Sequence, residues 1–458
     1  MSPFNLETCA RPNILALQPY RCARDDYKDN GTNILLDANE NAFGPAVLPC
    51  DMSSSTDASS RPSTLSTSSS SSAALSQDSG IDLRGLHRYP DPHQHHLKQL
   101  LCNLRNTHAH TPKTITPENL FVGLGSDEAI DALIRCFCVP GQDSILTCPP
   151  TYGMYAVSAQ VNDVNVLKVP LLPGPTFSLD IPAIMDALSA SASASASASA
   201  SASASASSST STSTSTSTSD SSSPKPPPTV KLVYLCSPGN PTGSLLPKED
   251  LHQLLSHPTW NGILILDEAY IDFASPTASL AELTAEYPNL VVLQTLSKAF
   301  GMAAIRLGAA FCPAPVANLL NAMKAPYNVP SPTSALAIQA LSPTGLARMR
   351  GNLAKISVQK HRLLGELERM QGIGGLRGGQ DANFLLCDVL GRGGEPDNEV
   401  AGRVYEMLAQ EFHVVVRFRG KEPGCEGCLR ITVGTEEEVT RLVGALRRAL
   451  GVVRAGWA

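Results

Sequence analysis

The sequence predicts an α/β protein with a mainly parallel sheet flanked by helices, followed by a smaller α+β domain. Short apolar segments alternate with helical patterns through most of the first 330 residues, which is typical of a parallel sheet with helical connections. From about residue 345 a long amphipathic pattern, "RMRGNLAKISVQKHRLLGELERM", precedes three short apolar segments. This change of pattern indicates a second, smaller unit.

Length and composition narrow the class of protein. The chain has 458 residues, more than one compact core usually holds. Its formal net charge is −6 and 17% of its residues are charged, a balance that does not indicate a nucleic-acid or membrane partner. The N-terminal segment lacks the apolar stretch of a signal peptide, and no apolar run approaches the ~20 residues that span a bilayer. We therefore expect a cytoplasmic protein.

The cysteines do not indicate a disulfide framework or a metal site. The chain has 12 cysteines without regular spacing. Cys425 and Cys428 form a C-x-x-C pair, but no second pair completes a zinc site. We expect reduced thiols that pack as small apolar side chains, and no bound metal.

Two serine-rich tracts interrupt the alternating pattern. Residues 51–80 and 189–223 contain too few large apolar side chains to offset the entropy lost on ordering, so both are predicted to be disordered insertions. The remaining chain is predicted to form an N-terminal arm with the start of the catalytic unit over residues 1–50, a large domain over 81–188 and 224–330, and a small domain over 331–458.

The elements of the two units follow in order along the chain. In the large unit, predicted strands end in "GLGSDEAID", "CPPTYGMY", "CSPGNPTG", "LILDEAYIDF" and "NLVVLQTLSKAFG". Because ligands bind at the carboxyl ends of strands in open parallel sheets, these five segments are expected to meet at one edge. In the small unit, strands are predicted in "ANFLLCDV", "FHVVVRF" and "CLRITVG". A final helix begins near Thr435, which can form a capping box with Glu438.

An acid, an amine and an anion site are predicted to lie together at this edge. Asp267 and Lys298 each end a buried apolar run, where an unpaired charge is costly. A simple Lys–Asp ion pair would explain both residues, and an ordinary helix N-cap would explain Ser126 and Asp127. However, an amine that can form a Schiff base, an acid for a ring nitrogen and a phosphate site at a helix start are together what pyridoxal phosphate requires.

A family resemblance supports this cofactor. The segments "SPGNPTG", "DEAYIDF", "TLSKAFG" and "AAIRLG" resemble the fold-type I aminotransferases in order and spacing. "LDANENAFGP", "HRYPDPH", "GSDEAID", "CPPTYGMY", "APYNVPSPTSALA" and "CLRITVG" are similar to segments of the histidinol-phosphate aminotransferases. The resemblance runs from about Leu17 to Gly434, interrupted by the two serine-rich tracts. It departs from the family at Gly239, where a second asparagine is usual, but keeps Asn240.

The resemblance implies a role for each matching residue. Lys298 would hold pyridoxal 5′-phosphate covalently and shuttle a proton, and Asp267 would pair with the ring nitrogen. Tyr270 and Asn240 would bond the 3′-oxygen, with Tyr152 stacked on the ring. The phosphate would be held by Thr295, Ser297, Arg306 and the backbone of Ser126 and Asp127. Tyr89 would reach the site of the neighbouring subunit in a homodimer. Arg430 would bind the substrate α-carboxylate, and Tyr20, Tyr327 and Arg417 would contact the substrate phosphate.

The function implied is amino transfer between L-histidinol phosphate and 2-oxoglutarate, giving imidazole-acetol phosphate and L-glutamate, in histidine biosynthesis. Three alternatives stay open at this point. A phosphothreonine decarboxylase or an aromatic aminotransferase would use most of the same motifs. A degenerate, non-catalytic binding module would not need Lys298, Asp267 and Arg306.

Overall fold

The computed structural model describes residues 11–18, 23–27, 31–47, 85–206 and 228–456. The predicted insertion over residues 51–80, the end of the second insertion and Tyr20 therefore lie outside the described residues. The N-terminal arm contributes helices α1 (Pro12–Leu15) and α2 (Ala23–Asp26) and strand β1 (Ile34–Leu35).

The large domain is built on a seven-stranded sheet. Its strands in chain order are β2 (Leu120–Leu124), β3 (Asp143–Thr147), β4 (Asn165–Lys168), β5 (Thr229–Cys236), β6 (Ile263–Asp267), β7 (Leu290–Thr295) and β8 (Leu307–Phe311). Across the sheet they follow the order β2-β8-β7-β6-β5-β3-β4. Strand β8 runs antiparallel to β2 and β7, and the other neighbouring pairs are parallel. The predicted mainly parallel sheet is confirmed.

Helices cover both faces of this sheet. They are α3 (His95–Arg105), α4 (Gly125–Phe137), α5 (Met154–Val161), α6 (Ile181–Ala206), α7 (Lys248–Leu255), α8 (Ala314–Met323) and α9 (Ser331–Ala340), with 3₁₀ turns at Pro117–Asn119, Ile271–Phe273, Ala281–Ala285 and Ala303–Ile305. Successive side chains of a strand point to opposite faces. In β6, Leu264 and Leu266 accordingly join one apolar layer, whereas Ile263 and Ile265 join the other. Because both faces of the sheet are buried, the sequences of its strands are continuous apolar runs.

The small domain combines an antiparallel sheet with three helices. Its elements are α10 (Pro343–Glu368), β9 (Ile373–Arg377), β10 (Phe384–Val389), α11 (Asn398–Gln410), β11 (Val414–Val415), β12 (Arg417–Phe418), β13 (Cys428–Thr432) and α12 (Glu436–Ala455). The four-stranded sheet has the order β12-β13-β10-β9, and β1 pairs in parallel with β11. Thr435 and Glu438 form the predicted capping box at the start of α12.

The boundary between the domains differs from the prediction at two places. Ala337, Ala340 and Met349 are buried in the core of the large domain, so the small domain does not start at residue 331. In the other direction, Ile34 and Leu36 of the N-terminal arm belong to the core of the small domain. Apolar periodicity in the sequence locates helices and strands, but it does not indicate which of the two sheets each element packs against.

The second serine-rich tract is also corrected in part. Helix α6 continues into the tract as far as Ala206, because its start is anchored by packing and alanine has the highest helix propensity. The Ser191 hydroxyl accepts a hydrogen bond from the buried backbone N–H of Val230 at 2.7 Å, and Ser189 Oγ lies 3.2 Å from the ring of His257. In the described part of the chain, no helix is long and apolar enough to cross a bilayer.

We expect Ser191→Ala to lower the free energy of unfolding by about 1–3 kcal/mol, because the buried N–H of Val230 would lose its acceptor. Ser193 offers a matched control, since its hydroxyl donates to the Ser189 carbonyl at an exposed position. Ser193→Ala is expected to change stability by about 0.5 kcal/mol or less. Chemical denaturation measures both values. Equal stabilities of the two variants would show that the start of the tract does not support the sheet.

Candidate active site

A cavity of about 270 Å³ lies at the carboxyl edge of the large sheet, where the small domain closes it. Most of the predicted site residues line this cavity: Ser126, Asp127, Tyr152, Asn240, Asp267, Tyr270, Thr295, Ser297, Lys298, Arg306, Arg417 and Arg430. The large-domain members follow β2, β3, β5, β6 and β7 or lie beside them, so the strand ends that carry the polar segments meet as expected.

One end of the cavity is suited to an anion. Helix α4 begins directly after β2, so its free N–H groups face the cavity beside Ser126. A Cβ added to Gly308 of β8 would lie 2.3 Å from the backbone nitrogen of Ser126, so only glycine allows this close approach. The guanidinium of Arg306 lies 3.3 Å from the Asp127 carboxylate and 3.5 Å from the Ser297 hydroxyl. Helix N–H groups, a hydroxyl and a guanidinium are the donors that a phosphate accepts from.

Asp267 also lines the cavity, and its buried carboxylate forms no ion pair with any described lysine, arginine or histidine. It is 2% exposed and accepts hydrogen bonds from the Tyr155 hydroxyl at 2.6 Å and from the backbone N–H of Ala269 at 3.1 Å. No ion pair among the described residues includes Asp267. Burial raises the pKa of this carboxyl to about 6. A ligand that brings a positive N–H group would therefore stabilise the ionised form.

Lys298 supplies a reactive amine. Its Nζ donates to the backbone carbonyl of Ala38 at 3.0 Å and forms no ion pair with Asp267, so the simple Lys–Asp salt bridge is not the arrangement observed. Burial, with the positive charge of Arg430 as the next cause, lowers the pKa of Lys298 to about 8. A substantial fraction of the amine is then neutral near pH 8, and the neutral amine is the nucleophile that forms a Schiff base.

Tyr270 and Asn240 are both fixed by hydrogen bonds from neighbouring side chains. The Tyr270 hydroxyl accepts from the Asn39 amide at 2.9 Å, so its own proton is available to another acceptor. The side-chain oxygen of Asn240 accepts from Arg430 at 2.6 Å and from Arg419 at 3.3 Å. The Tyr270 hydroxyl and the Asn240 amide, the two groups predicted to bond the 3′-oxygen, thus both line the cavity in fixed orientations.

The small domain contributes a wall of arginines. Arg417 of β12 lies directly opposite Arg430 of β13, so both side chains share one face of the sheet. Arg417 pairs with Asp26 at 2.6 Å. Arg430 is 4% exposed, donates to the Asp37 carbonyl at 2.5 Å and belongs to no ion pair among the described residues. Burial and the nearby Arg419 lower the pKa of Arg430 to about 9.

Two predicted residues lie apart from the cavity within one chain. Tyr89 and Tyr327 stack on each other with ring centroids 4.6 Å apart, and they are 82% and 41% exposed. Sequence reasoning missed three residues that contact the site: Asn39, Tyr155 and Arg419. Arg419 lies two positions after Arg417, so strand alternation could have found it. Tyr155 and Asn39 contact Asp267 and Tyr270 across 112 and 231 residues of chain, and no local pattern indicates such contacts.

The residues present fit pyridoxal 5′-phosphate. Asp267 is a buried carboxylate that lacks a cation, and the cofactor carries a ring nitrogen that can supply one. The start of α4 with Arg306 offers a phosphate site in the same cavity, and Lys298 offers the amine. Among the described residues, no cluster of three or more His, Cys, Asp or Glu side chains could hold a metal ion.

Comparisons with known proteins agree with this geometry. Residues 59–446 match the family model of class I and II aminotransferases. The chain is 44% identical to the histidinol-phosphate aminotransferase of Schizosaccharomyces pombe and 40% identical to that of Saccharomyces cerevisiae, over 98% of each chain in both cases. The fold is similar to the crystal structure of histidinol-phosphate aminotransferase from Sinorhizobium meliloti in complex with pyridoxal-5′-phosphate, with a TM-score of 0.70 and 21% identity over 97% of this chain and 98% of that one. This chain therefore belongs to the class I and II aminotransferases and, within them, to the histidinol-phosphate aminotransferase family.

Proposed function

We propose that this chain is a pyridoxal-phosphate-dependent aminotransferase that interconverts L-histidinol phosphate and 2-oxoglutarate with imidazole-acetol phosphate and L-glutamate, in histidine biosynthesis. The observation that carries the cofactor chemistry is the buried carboxylate of Asp267, which has no cation and lines one cavity with Lys298 and the anion site. The identity of 44% to a curated histidinol-phosphate aminotransferase supports the substrate.

The residues of the site have distinct tasks in this proposal. When bound, pyridoxal phosphate supplies an electron sink for the electrons released at the substrate carbon. Asp267 would keep the ring nitrogen protonated, and Arg306 with the start of α4 would hold the phosphate. Lys298 takes up and returns a proton at Nζ, a task suited to an amine whose pKa is lowered to about 8. Tyr152, whose hydroxyl donates to Asp127 at 3.1 Å, would stack on the ring.

The arginine wall accounts for two anionic substrates in one site. L-Glutamate carries two carboxylates, whereas histidinol phosphate carries a phosphate and no carboxylate. Arg430 binds the α-carboxylate of glutamate, because its guanidinium has no carboxylate partner within the described chain. Arg417 contacts the substrate phosphate, with Tyr20 and Tyr327 as further contacts. A guanidinium fork pairs equally well with both anions.

We also propose that the enzyme is a homodimer with shared active sites. Tyr89 is 82% exposed and stacks on the ring of Tyr327, which is 41% exposed, so both rings are available to a second copy of the chain. Exposed aromatic side chains of this size are typical of interfaces. In the dimer Tyr89 would reach the site of the neighbouring subunit. The cytoplasmic location stays a prediction from the sequence.

The reaction is tested with the purified protein, pyridoxal phosphate, glutamate and imidazole-acetol phosphate. We expect formation of 2-oxoglutarate and histidinol phosphate, with a higher kcat/KM than for an aromatic oxo acid. Phosphothreonine is offered separately, and CO₂ is measured. Release of CO₂ without a need for an oxo acid would favour the decarboxylase, and preference for the aromatic oxo acid would favour an aromatic aminotransferase.

Lys298→Ala is expected to abolish amino transfer and the visible absorbance of the bound cofactor, because the covalent anchor and the proton carrier are both lost. Lys355→Ala is the control, since Lys355 lies on the exposed side of α10 over the ring of Phe43. The control is expected to keep wild-type turnover. Turnover by Lys298→Ala above a small fraction of wild type, without added amines, would show that another group carries the chemistry.

Asp267→Asn is expected to affect stability and activity in opposite directions. In the cofactor-free protein the folded pKa of Asp267, about 6, exceeds the ordinary value of 3.8, so the folded state loses stability as the pH rises through this interval. Asparagine does not titrate. Relative to wild type, the cofactor-free variant should therefore gain about 1–2 kcal/mol between pH 5 and pH 8. Unfolding at both pH values measures this gain, and parallel pH profiles of the two proteins would contradict it. Amino transfer by the variant should fall by orders of magnitude.

Arg430→Lys and Arg417→Ala separate the two half-reactions. Arg430→Lys is expected to impair the glutamate half-reaction most, because lysine is a point charge that cannot bind a carboxylate through two parallel bonds. Arg417→Ala is expected to weaken reaction with histidinol phosphate by roughly one to two orders of magnitude, the usual effect of losing a charged hydrogen bond. Single-turnover rates with each substrate measure both effects. Equal losses on both substrates in both variants would refute this division.

A further inference from the structure

Arg419 is the third arginine that the small domain contributes to the cavity lining, and the roles assigned above do not include it. Strand β12 ends at Phe418, but the backbone N–H of Arg419 still donates to the Cys428 carbonyl at 2.9 Å, so the strand pairing continues by one residue. Side chains two positions apart on a strand share a face. Arg419 therefore lies on the same face as Arg417 and beside Arg430.

The guanidinium of Arg419 contacts two side chains of the protein, those of Glu422 and Asn240. Its Nη1 forms an ion pair with Glu422 Oε1 at 2.5 Å, and its Nη2 donates to the side-chain oxygen of Asn240 at 3.3 Å. Its Nε is buried and has no hydrogen-bond partner among the residues that the structure describes. With two nitrogens engaged and the third buried, Arg419 presents no fork to a substrate anion in this structure.

Asn240 receives two charged donors on one oxygen. Arg430 donates to the same oxygen at 2.6 Å, so the side-chain amide of Asn240 is held in one orientation. Its amide nitrogen makes no hydrogen bond to the described residues, although the residue is 7% exposed and lines the cavity. The orientation set by the two arginines leaves this nitrogen as a donor for a ligand.

The two arginines differ in how firmly they are held. Glu422 binds Arg419 through an ion pair that is mostly removed from solvent. Arg430 has no carboxylate partner in the described chain, and the proposed function uses it to bind the substrate carboxylate. Arg430 must then share its guanidinium between Asn240 and the substrate, whereas Arg419 remains in place throughout.

We propose that Arg419, anchored by Glu422, is a positioning residue that fixes the amide of Asn240 so that its nitrogen donates to the cofactor ring. This inference rests on the proposed function, because it requires pyridoxal phosphate in the cavity. Asn240 would donate to the oxygen on the ring, and Arg419 would act on that oxygen only through Asn240. Arg419 is thus distinct from a residue that touches the substrate.

The test measures cofactor binding as well as turnover. The dissociation constant of pyridoxal phosphate and the pH midpoint of its visible absorbance are determined for wild type, Arg419→Met, Arg419→Lys and Glu422→Gln. We expect about tenfold weaker binding for Arg419→Met, which corresponds to one hydrogen bond of moderate strength. The absorbance midpoint should rise, because a donor to the ring oxygen favours the deprotonated form. Arg419→Lys should not restore either property, since one ammonium cannot bond Glu422 and Asn240 in the same geometry.

A double-mutant cycle shows whether Arg419 acts through Asn240. In an Asn240→Ala background, Arg419→Met is expected to change cofactor affinity by less than about twofold, because coupled residues are not additive. Glu422→Gln keeps the charge of Arg419. It should weaken cofactor binding by about threefold and raise the absorbance midpoint, so it replaces Arg419→Met if that variant fails to fold. The exposed Arg392→Met is the control and should leave both readouts unchanged.

Three outcomes would overturn the proposal. Equal effects of Arg419→Met with and without Asn240 would show that it does not act through that amide. Full recovery in Arg419→Lys would show that only its charge matters. A rise in KM for the phosphorylated substrate with unchanged cofactor affinity would make Arg419 a substrate contact. A wild-type protein that binds no pyridoxal phosphate would instead refute the proposed function, and the two failures are therefore distinguishable.

Discussion

The burial of the Asp267 carboxylate, which forms no ion pair with any described residue, is the constraint on which the site depends. Transfer of a charge from water into an apolar environment is costly, and here a tyrosine hydroxyl and one backbone N–H offset only part of that cost. Tyr155 is itself fully buried and stacked on Tyr234, whose hydroxyl donates to the carbonyl of Ile130 in α4. The helix that begins at the anion site and the strand that ends at the carboxylate are thus linked through one column of aromatic rings. A ligand with a cationic N–H and an anionic group would satisfy the carboxylate and the start of this helix together.

The three arginines that the small domain places along the cavity are also costly to bury, because their positive charges lie close together. Like charges close together in a buried site repel, and this repulsion appears in the pKa of Arg430, which burial and Arg419 lower to about 9. Asp26 and Glu422 neutralise two of the three arginines, and both acids come from loops or short elements outside the sheet. The remaining charge is available to the substrate. A buried positive charge of this kind favours binding of acidic substrates over neutral ones.

Much of the fold and most of the site could be predicted because their signals are local. Apolar runs of five to eight residues that end in polar segments locate β2, β3, β5, β6 and β7, and the rule for parallel sheets then brings the polar segments together. The contacts that orient those residues are not local. Asn240 meets Arg419 and Arg430 across 179 and 190 residues of chain, and these distances in sequence leave no periodic trace. The helical start of the serine-rich tract was missed for a related reason. Its stability depends on Val230 and His257 of the neighbouring strand and loop, whereas composition reports only the absence of large apolar side chains.

The two domains are joined at the cavity by backbone contacts as well as by side-chain hydrogen bonds. The turn after β9 docks on the turn after β5, where the N–H of Gly379 donates to the Thr242 carbonyl at 2.9 Å and the N–H of Asp381 to that of Gly243 at 2.9 Å. Gly378 has a φ of +76°, and a Cβ there would lie 1.9 Å from the Thr242 carbonyl oxygen, so a larger residue would separate the two turns. The turn after β5 also carries Asn240. The amide that faces the cavity is therefore held from the small domain in two ways, by the backbone of the β9–β10 turn and by the arginines of β13 and the residue after β12. The position of the small domain and the orientation of this amide are therefore coupled through the same short turn.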